Sequence, residues 1–138
     1  VRILLDTNIL ISALISEQGT PGQLLALIRD SEHLLITSPF QVQEVRSVLA
    51  RPRLRPYIRP EQAESLLSTI TSVGLLIHDI AEVHDSPDPD DNKILGAAIA
   101  GKADIVVSGD KRHVLMLGEI SGIPIMSARE ALDRLSCG

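Results

Sequence analysis

Short runs of β-branched residues and leucine alternate along the chain with longer segments of helical periodicity, and that alternation does most to narrow the folds open to it. The runs are Arg2 to Leu5, Leu34 to Thr37, Leu75 to Ile77, Asp104 to Val107 and Ile123 to Met126. They are nearly continuous in apolar residues, as in Ile105-Val106-Val107, which is the pattern of strands covered on both faces. Between them, Thr20-Pro21-Gly22-Gln23, Ser38-Pro39-Phe40-Gln41 and Ser127-Ala128-Arg129-Glu130 each put Gln or Glu three residues after a hydroxyl, a helix-start signature. Further helices are expected from about Glu61 to Ser72 and from about Pro89 to Gly101, the latter capped by Asp88. The fold class that follows is α/β: a three-layer α/β/α sandwich with a central, mainly parallel five-stranded sheet.

A length of 138 residues predicts one domain spanning residues 1–138. No apolar run is long enough for a membrane span or a signal-peptide core, so a cytoplasmic protein is expected. Thirteen basic against eighteen acidic residues give a net charge of -5, which excludes a general polycation. The average hides segregation: Arg46, Arg51, Arg53, Arg55 and Arg59 share a stretch without acids, whereas Asp79 to Asp91 holds six acids and no Lys or Arg. One Phe and one Tyr are too few for an aromatic platform under single strands, so a bound nucleic acid would be gripped by its phosphates. Cys137 is the only cysteine, and the four histidines show no ligand spacing. A resident metal would need oxygen ligands.

Ligands of open parallel sheets collect outside the carboxyl ends of the strands. Asp6 directly follows Ile3-Leu4-Leu5, and Asp110 follows Val106-Val107-Ser108-Gly109. At roughly 100° per residue, Glu44 falls between Phe40 and Val48 on the apolar arc of its helix. By the same measure Asp91 shares a face with Ile94, Leu95 and Ala98, whereas Asp90 points away. Each acid has a structural alternative: Asp6 or Thr7 as a helix cap, Asp110 as a cap, Asp91 as a first-turn acid, and Glu44 as the partner of Arg46 or Arg51. Four acids at one sheet edge repel one another unless a cation compensates them. Oxygen-only ligation suits Mg²⁺ or Mn²⁺, one or two ions, and such ions serve phosphodiester hydrolysis by metal-activated water.

Ile3-Leu4-Leu5-Asp6-Thr7-Asn8, Glu44 in the second long helix, Asp91-Asn92-Lys93-Ile94-Leu95 and Val107-Ser108-Gly109-Asp110 together resemble the PIN-domain ribonucleases, in the branch of VapC-like toxins of toxin–antitoxin systems. The resemblance covers almost the whole chain in order. It implies that Asp6, Glu44, Asp91 and Asp110 are the catalytic, metal-holding quartet, with Asn8 and Ser108 in hydrogen-bonding support. It also implies cleavage of single-stranded RNA to 5′-phosphate and 3′-hydroxyl products, homodimers, and an antitoxin protein as partner, with no membrane involved.

Arg46, Arg51, Arg53 and Arg55 are candidate RNA-phosphate contacts, and Asp88 is a cap or an outer support of the quartet. His113 is expected on a helix surface, and Met116 and Leu117 in the core. Apolar residues between Leu66 and Ile70 are candidates for a two-fold contact. Two other functions compete. One is a PIN-like protein that binds RNA or a partner without hydrolysis. The other is a haloacid-dehalogenase-type phosphatase, for which Asn8 stands where a second acid is wanted.

Overall fold

The computed structural model describes residues 1–109 and 114–136, so Asp110, His113 and Cys137 lie outside the described residues. The order of elements is β1 (Arg2–Leu5), α1 (Thr7–Ile15), α2 (Thr20–Arg29), β2 (Leu34–Thr37), α3 (Pro39–Leu49), a 3-10 turn (Pro52–Leu54), α4 (Pro60–Ser72) and β3 (Gly74–Leu76). Then come α5 (Pro89–Ala100), β4 (Ile105–Val107), α6 (Val114–Leu117), β5 (Glu119–Ile120), β6 (Ile123–Met126) and α7 (Ala128–Ser136). The sheet runs β3-β2-β1-β4-β6-β5, with every pairing parallel except that of β5 with β6.

The continuous apolar strands are explained by helices on both sides. Ile3, Leu5, Leu35, Ile105 and Val107 point into a core shared with α1, α2, α3, α4 and α7. Leu4, Ile36 and Val106 point to the opposite face, against α5 and α6. A one-residue shift would exchange the two sets, so burial on both faces specifies the register.

Several expectations need correction. The sheet has six strands, not five: β5 has two residues and joins β6 through Ser121 and Gly122, both at positive φ (49° and 83°). Two residues are too few to show a period, and the signal was the Ser-Gly turn itself. Thr20 is the first residue of α2, not its cap; Gly19 occupies that position and makes no side-chain capping bond. Met116 is 75% exposed, not core, whereas Leu117 packs against the core on the α5 and α6 side of the sheet. Leu66 and Ile70 are buried in the main core, so they offer nothing to a two-fold contact. No helix of the described residues is long and apolar enough to cross a membrane.

Ser38 and Asp88 cap α3 and α5 by accepting from the peptide N–H groups of Gln41 and Asp90. Ser127 accepts from Glu130 N at the start of α7. The chain steps outward from β1 to β2 to β3 and then returns to the other side of β1 with β4. The switch point therefore lies between β1 and β4, and a crevice opens beyond their carboxyl ends.

Candidate metal centre

Beyond the ends of β1 and β4 the chain is held by three polar ties. Asp6 N donates to Val107 O (2.9 Å), and Ser108 N donates to Met126 O (3.0 Å), so the strand ends stay in register one residue past the sheet. Gln41, 1% exposed, donates from Nε2 to Leu5 O (2.7 Å) and accepts from Thr37 Oγ1 (2.7 Å). A buried amide is thus satisfied, and α3 is fastened to the residue that precedes Asp6. Glu44 lies three residues along α3 and so shares the helix face of Gln41.

Asp6, Thr7, Asn8, Glu44, Val48, Arg51, Asp88, Asp90, Asp91 and Ile94 line one cavity of about 190 Å³. Two other cavities, about 500 and 570 Å³, are larger. Chemistry rather than size selects the small one, because five carboxylates face it.

Each acid is oriented by a specific neighbour. Asp6 caps α1, accepting from Ile9 N with Oδ1 (3.1 Å), while Oδ2 accepts from the hydroxyl of the fully buried Ser108. Capping and site geometry therefore coexist on one side chain. Glu44 accepts from the hydroxyl of Thr7. It forms no ion pair with Arg46 or Arg51 among the described residues, and Arg46 instead donates to Gln43 Oε1 (3.2 Å). Asp91 Oδ2 accepts from the buried Ser86 hydroxyl (3.1 Å). Ser86 is itself clamped by Asn92, whose side chain accepts from Ser86 N (2.9 Å) and donates to Ser86 O (2.8 Å).

Burial pushes the Glu44 carboxyl above its ordinary value near 4.5; the Thr7 hydroxyl opposes this, and the charges of Asp90, Asp91 and Asp88 add to the rise. Two full charges about 8 Å apart at an effective dielectric near 20 repel by about 2 kcal/mol. A hard cation placed among these carboxylates would relieve that repulsion. The donors are oxygens, and among the described residues no thiolate or imidazole lines the cavity, which fits Mg²⁺ or Mn²⁺. Among the described residues no three acidic, His or Cys side chains are already gathered at ligand distance.

Asp6, Glu44, Asp91 and Asn8 thus meet at one cavity, Ser108 touches it through Asp6, and Asp110 lies outside the described residues. Asp90, expected to point away, lines the cavity as well, as does Asp88. Near the first turn of α5 the backbone carries neighbouring carboxylates around the same opening, so a face angle alone does not separate them. Of the arginines, Arg51 lines this cavity, whereas Arg46 and Arg55 line a different one and Arg53 lines neither. Thr7, Ser86 and Asn92 join the site through these bonds; Thr7 adjoins Asp6 and Asn92 adjoins Asp91 in sequence, the one local signal of their roles.

A family model described as PIN domain matches residues 2–112. The uncharacterized protein MJ1680 of Methanocaldococcus jannaschii is 35% identical over 120 residues, 86% of this chain and 77% of that protein. Among solved structures, VapBC2 from Rickettsia felis bound to a promoter DNA fragment contains a chain that superposes with a TM-score of 0.62 at 17% identity. The match covers 92% of this chain and 98% of that one, and at such identity it shows the fold alone.

Proposed function

The chain belongs to the PIN-domain family, and from that premise we propose that it is an Mg²⁺- or Mn²⁺-dependent endoribonuclease, the toxin of a toxin–antitoxin pair. The observation that carries the proposal is the convergence of Asp6, Glu44 and Asp91 on one oxygen-lined cavity at the switch point, with Glu44 in no ion pair among the described residues. Asp6, Glu44 and Asp91, joined by Asp110 from the end of β4, would hold the ion. Bound there, it supplies charge to the phosphate and acidity to water.

The chain's own groups do the rest. Ser108 and the Ile9 peptide fix both oxygens of Asp6, so its carboxylate is presented without rotamer search. Ser86 does the same for one oxygen of Asp91. Glu44 Oε2, the oxygen that Thr7 does not bind, can take a proton from a water beside the phosphate, and its raised pKa makes that transfer less uphill. Asn8 offers an amide to a phosphate oxygen.

The antitoxin partner is supported by the VapBC2 structure, one chain of which shares this fold. The haloacid-dehalogenase alternative loses its basis in the family match. Single-stranded RNA incubated with the purified protein and Mg²⁺ or Mn²⁺ is expected to be cut to 5′-phosphate and 3′-hydroxyl ends, and neither chelator-treated protein nor Asp6→Asn should cut it. Absence of cleavage by protein that binds Mn²⁺ would overturn the proposal and favour a binding-only protein.

A further inference from the structure

The structure splits the arginine-rich stretch between two cavities on opposite flanks of α3. Glu44, Val48 and Arg51 face the acidic cavity, and Arg46, Leu49, Arg55 and Arg59 face a second one of about 570 Å³ between α3 and α4. We infer that this second cavity is a phosphate-holding subsite for the RNA strand flanking the scissile bond, an inference that rests on the ribonuclease reading of the first.

Three arginines meet there against one acid, Glu64. None of the three forms an ion pair among the described residues. Among the described residues Arg46 donates to the neutral Gln43, and Arg59 bonds through its backbone, its peptide N–H donating to Gln62 Oε1 (2.8 Å) and its carbonyl accepting from Gln62 N (3.0 Å) and Ala63 N (3.1 Å). The backbone of the turn sets the position of Arg55. Leu54 N donates to Arg51 O (3.0 Å), Arg55 N to Pro52 O (3.1 Å) and Ile58 N to Leu54 O (3.0 Å), and Ile58 is buried as an anchor. Three guanidinium groups from α3, the turn and the start of α4, set against one carboxylate, suit an anion.

Continuity identifies the anion. A strand that leaves the acidic cavity past the end of α3 would meet Arg51 before reaching the second one. Arg51, at that end, lines the first cavity and stands in sequence between the arginines of the second. Cations spaced along an exit suit a polyanion. Leu49 and Leu67, both half-buried, give the same cavity an apolar wall against which bases can lie. An acidic peptide would share the cationic pocket but has no reason to follow the arginines toward an acidic cavity.

The test compares wild type, the triple variant Arg46→Gln/Arg55→Gln/Arg59→Gln, and Arg53→Gln, whose arginine lines neither cavity. Fluorescence anisotropy measures binding of a labelled single-stranded RNA across a salt series, and cleavage is followed for that RNA and for a dinucleotide. The triple variant should bind the long RNA on the order of tenfold more weakly, with a salt slope shallower by about 0.7 per lost phosphate contact. Its kcat and its dinucleotide cleavage should be unchanged, and Arg53→Gln should resemble wild type. Equal long-RNA binding and slope in the triple variant and wild type overturns the subsite. So does a triple variant that loses only polyglutamate binding, which would assign the cavity to an acidic protein segment. A wild type that cuts neither substrate overturns the ribonuclease reading, and the anisotropy comparison still decides the subsite.

Discussion

The hydroxyl of Thr7 donates to the carboxylate of Glu44, joining the first turn of α1 to the middle of α3. Thr7 is buried, and burial raises the pKa of Glu44. The bond therefore favours the charged form that burial disfavours. It is also the direct side-chain link between the helix that follows Asp6 and the helix that carries the second acid.

Replacing Thr7 by valine keeps volume and removes the donor. The Glu44 carboxylate then loses the contact that favours its charged form, so the metal must do more work to ionise it. Mn²⁺ affinity measured calorimetrically should fall about tenfold, the scale of losing an outer-shell hydrogen bond to a metal ligand. Thr7→Ser should restore it. Equal affinity in Thr7→Val would show that the bond is dispensable to the ion site.

The raised pKa of Glu44 has a sign that thermal unfolding can read. Folding favours its protonated form, so its stabilising contribution is fully present below the ordinary value near 4.5 and is lost as pH rises through the raised folded value. In metal-free protein at neutral pH, Glu44→Gln should therefore raise the melting temperature, and the gain should vanish in acid. Added Mg²⁺ should stabilise wild type more than the variant, reversing the order. A variant less stable than wild type at neutral pH without metal would contradict this account.

Asp6 has two duties that substitution can separate. Asparagine caps a helix about as well as aspartate, whereas alanine costs about 1 kcal/mol. Asp6→Asn should leave urea unfolding nearly unchanged while RNA cleavage falls at least about a hundredfold, and Asp6→Ala should lose both. If Asp6→Asn retained activity, the residue would be a cap and nothing more.

What could be read in advance follows from how local each signal is. Ile3-Leu4-Leu5 and Ile105-Val106-Val107 announce buried strands because both faces are covered, and Ser38 and Asp88 announce helix starts because capping involves only near neighbours. The placement of Asp6, Glu44 and Asp91 around one cavity was accessible from strand ends and helix faces. The remainder depends on tertiary geometry. Nothing in the sequence says that Gln41 reaches back to Leu5, that Ser86 holds Asp91, or that α3 divides Arg51 from Arg46 and Arg55. The expectation that Asp90 turns away failed for a related reason. A helix face describes a helix interior, and Asp90 is in the first turn, where the capping loop curls around the same opening.

Gly96 tests whether the acidic segment before α5 is held in place by that helix. In an exposed helix interior, alanine is better than glycine by about 1 kcal/mol. Here a Cβ on Gly96 would stand 2.2 Å from the carbonyl oxygen of Ala81. Ala81 N in turn donates to Gly96 O (3.0 Å), so two backbones lie in contact and no flexible side chain can yield. The same segment continues to Ser86, which fixes Asp91 and is fixed by Asn92. Gly96→Ala should thus destabilise by about 1–3 kcal/mol, the scale of overpacking, rather than stabilise as propensity alone dictates. It should also speed amide exchange at Ala81 and Ser86 and weaken Mn²⁺ binding, although the substituted residue touches no ligand. Increased stability with unchanged exchange would show that the segment is held by something other than this contact.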